Sequence, residues 1–259
     1  MDISIIIVNF KSRNYLTNCI KSIHKNTIAA SYEILIVNND IEKLTIPENN
    51  EQLKIIEHNK NTGFACACNL GAKYANGKIL LFLNPDTEII SGNLDYLISA
   101  FSDQSIGIVS PRLLTDKKNI QEWSSGYNIT LFEIILNNIG LIQSKELWQE
   151  NATKKPDWVS GASLAIANDL FKKVGGFDEN FFMYFEDVDL CKRITEIDLG
   201  IEIIPSIEIL HLGGKSFSDS IMQKKLYYSS QDYYFKKHYP PLSLRTLQLL
   251  RNTVSLFKK

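Results

Sequence analysis

The sequence predicts an α/β fold: a mostly parallel central sheet flanked by helices, followed by a basic amphipathic helical tail. Three observations carry this. Short runs such as SIIIV (4–8), YEILIV (32–37) and KILLFL (78–83) are apolar on both faces, as strands of a covered parallel sheet are. Segments with helical spacing stand between them, which is the βαβ pattern. Each run ends in polar residues: Asn9, then Asn38-Asn39-Asp40, then Asn84-Pro85-Asp86. In such sheets ligands bind beyond the strand C-terminal ends.

Ile3 to Val8 is the first strand. Lys11 to His24 follows as a helix, with Leu16, Ile20 and Ile23 on one side. Tyr32 to Val37 and Leu53 to Glu57 are the next strands. Gly63 to Ala75 is small and helix-compatible and stops near Gly77. Lys78 to Leu83 is a fourth strand, ended by Pro85 because proline cannot continue a central strand. Leu94 to Phe101 predicts a helix and Gly107 to Ser110 a strand. Residues 114–157 show no clear period despite the apolar piece LFEIILNNIGLI (131–142), and predict a partly mobile loop region where specificity resides.

Regularity returns at Trp158 to Ala167. Asn168 to Val174 predicts a capped helix stopped by Gly175-Gly176. Ile201 to Ile204 is a strand closed by Pro205, and Ile207 to Leu210 leads into His211-Leu212-Gly213-Gly214. In the tail, Leu247, Leu250, Val254 and Phe257 recur at three- and four-residue spacing among Arg245, Arg251, Lys258 and Lys259. Such a helix either packs on the domain with a solvated basic face or rests on anionic lipid.

With 259 residues, 44% of them hydrophobic, the chain can bury one large core. A net charge of -1 argues against a general polyanion binder, but residues 224–259 carry a formal +7 against about -8 elsewhere. The tail does not pattern stacking aromatics with its basic residues, which argues against nucleic acid. Cys19, Cys66, Cys68 and Cys191 have no zinc-type spacing and read as packing. MDISIIIVNF reads as a strand and not a signal peptide, and no run reaches the roughly 18 apolar residues of a membrane span. The expected compartment is the cytoplasm. No GxGxxG follows the first strand, so a dinucleotide site is excluded.

Three segments can carry chemistry. Asn84-Pro85-Asp86 presents a carboxylate at a strand end, suited to a hard divalent cation or, equally, to a plain turn. His211 follows a strand and can ligate a metal or serve as a satisfied histidine. MYFEDVDLCKR (183–193) sets Glu186, Asp187 and Asp189 against the aromatic run Phe181 to Phe185. At a helix start these acids suit the macrodipole. Asp189 and Arg193 read as a helix-surface pair. Asp187, beside aromatics, is desolvated and more basic, as a general base requires.

In series, SIIIVNF (4–10), NTGFACACNLGAKYANGKILLFLNPDTEI (61–89), VSGASLAIANDLFKKVGGFDENFFMYFEDVDLCKRI (159–194) and HLGGKS (211–216) resemble the family 2 glycosyltransferases, nearest to the rhamnosyltransferase-like branch that builds bacterial surface polysaccharides. The resemblance covers about residues 1–216. It implies a GT-A fold, with a nucleotide-binding half at 1–110, an acceptor and catalytic half at 111–216, and the tail at 217–259. It implies a dTDP- or UDP-linked sugar donor, a glycan or lipid-linked acceptor, a divalent cation (Mg2+ or Mn2+) and inversion at the anomeric carbon. By motif, Asp86 and His211 would hold the metal and Asn84 would face the ribose. Asp187 would be the base, supported by Glu186. Val8, Asn9, Asn38, Asn39, Asp40, Gly63 and Asn69 would flank the nucleotide. Trp158, Gly161, Ala162 and Tyr184 would meet donor or acceptor sugar.

One departure stands out: Asn38 occupies the place where the family commonly has an Asp that reads the pyrimidine, and its amide would take that role. The resemblance and the basic tail together imply work at the inner face of the cell membrane, and the tail could instead pack between subunits. The competing class is a non-catalytic binding or scaffold relic of the same fold.

Overall fold

A computed structural model describes residues 1–26, 29–46, 51–150, 152, 155–213 and 220–257, the last five by backbone alone. The elements are β1 (Ile3–Asn9), α1 (Arg13–Lys25), β2 (Tyr32–Asn38), β3 (Leu53–Glu57), α2 (Phe64–Tyr74), β4 (Ile79–Leu83), β5 (Thr87–Ser91), α3 (Asp95–Ala100) and β6 (Ile106–Leu114). Then come β7 (Ser125–Gly126), α4 (Leu131–Asn138), β8 (Trp158–Val159), β9 (Ser163–Ala167), α5 (Asn168–Lys173), α6 (Glu186–Thr195), β10 (Gly200–His211), α7 (Ser220–His238) and α8 (Pro241–Phe257).

The main sheet runs β3-β2-β1-β4-β9-β6-β10-β5. The first four strands are parallel, and β9 is antiparallel to both its neighbours. Alternate residues of β1 explain why its run is apolar throughout. Ile3, Ile5 and Ile7 pack with Leu16, Ile20 and Ile23 of α1 on one face, while Ile6 and Val8 pack with Ala65 and Cys68 of α2 on the other. A third core joins Phe181, Phe185 and Val188 to Tyr234 and Phe235 of α7 and Leu247 of α8.

Three expectations are corrected. The 114–157 stretch holds α4 and a 3-10 turn over Gln143–Trp148. At two turns, α4 is too short to print a period, and its structure comes from packing and from Thr130, whose hydroxyl accepts the Glu133 N–H. Pro205 does not close a strand. β10 runs on through it, with a shift of register between Ile204 and Glu208, and a bulge is where a sheet tolerates proline.

The tail is two helices, and α7 is built into the body. Lys237 reaches Asp178 at 2.6 Å and Asp189 at 2.7 Å, while His238 meets Asp189 at 2.7 Å. Asp189 does pair with Arg193, at 2.8 Å, but with 0% side-chain exposure it is buried and not on a helix surface. Of the predicted amphipathic stripe, Leu247 is buried; the side chains of Val254 and Phe257, and Lys258 and Lys259 entirely, lie outside the described residues, as do Gly214 to Ser216. Among the described residues no helix is long and apolar enough to cross a membrane.

Candidate active site

β1 lies between β2 and β4, so successive strands are added first on one side of it and then on the other. A crevice opens beyond the strand ends at such a switch point. Here it is a cavity of about 490 Å³. Val8 and Phe10 from the end of β1, Asn39 after β2, and Asn84 to Asp86 after β4 line it. Asn39 is buried, and its amide donates to Asn61 Oδ1 at 3.1 Å and to the Gly63 carbonyl at 3.2 Å.

Sheet pairing delivers His211. β10 runs antiparallel to β5 with His211 opposite Thr87, one residue past Asp86. The Leu212 N–H donates to the Asp86 carbonyl at 3.1 Å and locks the two ends together. His211 Nε2 then lies 3.5 Å from Asp86 Oδ1 and 3.3 Å from Asn84 Nδ2. Its Nδ1 lies 2.9 Å from Gln121 Oε1. The Gln121 oxygen can only accept, so Nδ1 carries the hydrogen and Nε2 turns its lone pair toward Asp86 and Asn84.

Glu186 and Asp187 line the same cavity. Tyr184 and Phe185 both take left-handed backbone, with φ of 69° and 68°, a strained pair of the kind that clusters at functional sites. This turn buries Phe185 in the third core, leaves Tyr184 partly buried against it with both residues lining the cavity, and opens α6 at Glu186. Asp187 Oδ2 accepts the Gly161 N–H at 2.8 Å, and Oδ1 accepts the Val188 N–H at 2.8 Å. Glu186 is buried, with Oε2 unpartnered. Burial pushes both carboxyls up. The Asp187 charge raises Glu186 further, whereas backbone N–H groups restrain the rise at Asp187. Of the pair, Glu186 is the more strongly raised, and Asp187 is the one that backbone N–H groups hold toward its charged form.

Of the residues singled out in the sequence, Val8, Asn39, Gly63, Asn84, Asp86, Trp158, Gly161, Ala162, Tyr184, Glu186, Asp187 and His211 share this cavity. Asn9, Asn38, Asp40 and Asn69 do not line it. Asn38 is fully buried, with both amide hydrogens committed to the Glu42 carbonyl and Glu57 and its oxygen accepting from Asn9, so its side chain does not reach the cavity. Asn69 instead brackets Phe177, donating to its carbonyl and accepting its N–H. Asp40 accepts the N–H of the adjacent Ile41. Sequence reasoning missed Gln121, which has no local signal. It also missed Glu133, whose Thr130-x-x-Glu133 setting reads as a helix cap.

Such a switch-point cavity, holding a strand-end carboxylate, a histidine and a buried acid pair, is where an α/β protein of this topology binds its ligand. The profile of Glycosyl transferase family 2 matches residues 4–174. The chain belongs to this family. It is 27% identical over 214 residues to the low-salt glycan biosynthesis hexosyltransferase Agl10 of Haloferax volcanii, covering 81% of this chain and 67% of that one. It is 26% identical over 159 residues to rhamnosyltransferase WbbL of Escherichia coli, covering 60% of this chain and 59% of that protein.

Among solved structures, GalNAc-T7 with UDP, GalNAc and Mn2+ superposes with a TM-score of 0.62 at 18% identity, over 91% of this chain and 50% of that one. The mannosyltransferase PcManGT from Pyrobaculum calidifontis, in complex with GDP-Man and Mn2+, gives 0.59 at 14%, over 92% and 66%. These likenesses establish the GT-A fold.

Proposed function

We propose that this chain transfers a sugar from a nucleoside-diphosphate donor to an acceptor hydroxyl, with inversion at the anomeric carbon. The observation that carries the reading is the shared cavity in which Asp187, held by the Gly161 N–H, faces the Asp86–His211 pair. Asp187 is desolvated and oriented, and in its charged form would take the acceptor proton. Attack from the face opposite the leaving diphosphate inverts the centre. Glu186, when protonated, can donate to a sugar hydroxyl.

The donor end requires counter-charge. Asp86 puts a carboxylate there, and no Lys or Arg is among the described residues that line the cavity. A diphosphate would meet repulsion there unless a cation came with it. Asp86 and the Nε2 lone pair of His211 fit a Mg2+ or Mn2+ ion, with Asn84 beside them. Among the described residues no third His, Cys, Asp or Glu joins them, so donor oxygens and water would complete the shell. Such an ion would neutralise the departing diphosphate.

The relatives' names favour a hexose donor, and rhamnose carried on dTDP or UDP is the first candidate, for glycan or polysaccharide synthesis. The formal +7 of residues 224–259 favours work at the inner membrane face, on a glycan or lipid-linked acceptor. Titrating dTDP, UDP and GDP with and without Mn2+ tests the reading. One nucleotide should bind tightly, only with metal, and lose that affinity in Asp86→Ala. Metal-independent binding, or none, would leave a scaffold. Sedimentation with anionic liposomes at physiological salt tests the membrane clause, which fails if the protein stays in solution.

A further inference from the structure

α4 and α7 also line the cavity, and on α4 the hydrogen bond between the Asn137 and Glu133 side chains still leaves one buried oxygen of each without a partner. Glu133 is 6% exposed, yet its Oε1 has no partner. Asn137 follows at i+4, so both side chains lie on one face of α4. The Asn137 Oδ1 is also buried and unpartnered, and both residues line the cavity. The Thr130 cap does not explain Glu133. In a capping box the glutamate returns to the cap N–H, but the Thr130 N–H goes to the Asn128 carbonyl instead. A buried carboxylate oxygen without a donor destabilises the free protein. Groups of this kind are retained where a ligand satisfies them.

What would satisfy them must bring hydroxyl or N–H donors. A phosphate or a polyprenyl chain brings none. Trp158, Tyr184 and Tyr227 line the same cavity, with Trp158 fixed by its N–H to the Tyr127 carbonyl at 3.0 Å. Apolar faces with a few convergent polar groups are how small-molecule pockets orient a ligand.

Building on the transfer function above, we propose that Glu133 and Asn137 form the acceptor subsite and that they select a saccharide, binding vicinal hydroxyls of its terminal ring. The acceptor sugar would lie against the aromatic side chains with its ring edge on α4. A site built to bond hydroxyls rejects analogues that lack them far more strongly than an apolar pocket rejects a missing methylene.

The test uses the full chain and a panel of methyl glycosides, read by saturation-transfer NMR in the presence of Mn2+ and the nucleoside diphosphate that binds. Wild type should bind at least one glycoside. Glu133→Gln and Asn137→Ala should each weaken it by about tenfold, the loss of one hydrogen bond to a charged or buried partner. Nucleotide affinity should stay within about twofold. A deoxy glycoside lacking the bonded hydroxyl should bind wild type and Glu133→Gln alike.

Thermal unfolding separates this role from a structural one. Removing an unsatisfied carboxylate should leave the Tm of Glu133→Gln unchanged or higher, whereas a structural Glu133 would lower it. Glycoside binding unaffected by either variant, or a lowered Tm in Glu133→Gln, overturns the proposal. So does wild type binding nucleotide but no glycoside, with the transfer reading left standing. Wild type binding a glycoside through Glu133 but no nucleotide would do the reverse.

Discussion

Asp187 takes its place from Gly161: the carboxylate Oδ2 accepts the glycine N–H at 2.8 Å across 26 residues of sequence. The bond ties the start of α6 to the loop between β8 and β9. It leaves the carboxylate one direction in which to act, into the cavity. Glu186, its neighbour in sequence, has no such anchor for Oε2.

Asp187→Asn should therefore lower kcat by about 10²–10⁴, the range for a lost general base. Nucleotide affinity should stay unchanged, because the metal and diphosphate are assigned to Asp86 and His211 and not to Asp187. Glu186→Gln should cost less, since glutamine resembles the protonated acid. Steady-state kinetics on the three proteins check the ranking.

The pH profile of kcat/KM should report Asp187. The base acts when ionised, and burial raises its pKa, so activity should fall with acid at a pH above the ordinary aspartate value of about 3.9. Glu186 has the linkage of a raised carboxyl. Its protonated form contributes stability below the unfolded value of about 4.3, which is lost as pH rises through the higher folded value. Glu186→Gln should thus raise the Tm at pH 8 relative to wild type and change little at pH 4, by thermal scans at both.

Gln121→Leu should weaken Mn2+-dependent nucleotide binding by about 10- to 100-fold, as loss of a group orienting a ligating histidine does. The Tm of the metal-free protein should not move. Calorimetry with Mn2+ and thermal unfolding without it decide, and a lowered Tm would show that Gln121 supports the fold and not His211.

Gly63→Ala should destabilise by at least about 2 kcal/mol, because Gly63 has φ of +87° and ψ of 171°, a region open essentially to glycine. A Cβ there would stand 2.3 Å from the Phe182 carbonyl oxygen. That carbonyl accepts the Phe64 N–H and leads into the strained Tyr184-Phe185 turn, so activity should fall beyond the stability loss. Urea unfolding and kcat on the folded fraction measure the two effects.

Asp189→Asn should cost about 3 kcal/mol or more at pH 7, since it strands charges that α7 and α6 bring to one buried carboxylate. Burial opposes its ionisation, but the His238 and Lys237 hydrogen bonds and the Arg193 and Lys237 charges outweigh it, and its pKa falls below the usual value. The stability is present above about pH 3.9 and lost as pH drops through the folded value. The gap between wild type and variant in urea should therefore narrow below pH 4.

The parallel half was legible because each strand is covered on both faces, and that writes a local apolar run with polar residues at its end. Asp86, Glu186 and Asp187 were legible because each sits beside a local break, a proline or an aromatic run. Asn38 was misread because its amide is filled by Glu42 and Glu57, contacts made across a strand neighbour and a loop. α4 was missed because two helical turns leave no periodicity to count.

By itself the sequence determined the βαβ half, the strand-end carboxylate, the acid pair at a helix start and the family, since all of these rest on residues close together in the chain. Only the tertiary structure decided how Asp187 is held, where His211 points and what α7 does. Those outcomes depend on a backbone N–H from residue 161, a glutamine 90 residues from its histidine and a lysine 59 residues from its aspartate. Burial and electrostatics act through space, and no window along the chain contains both partners.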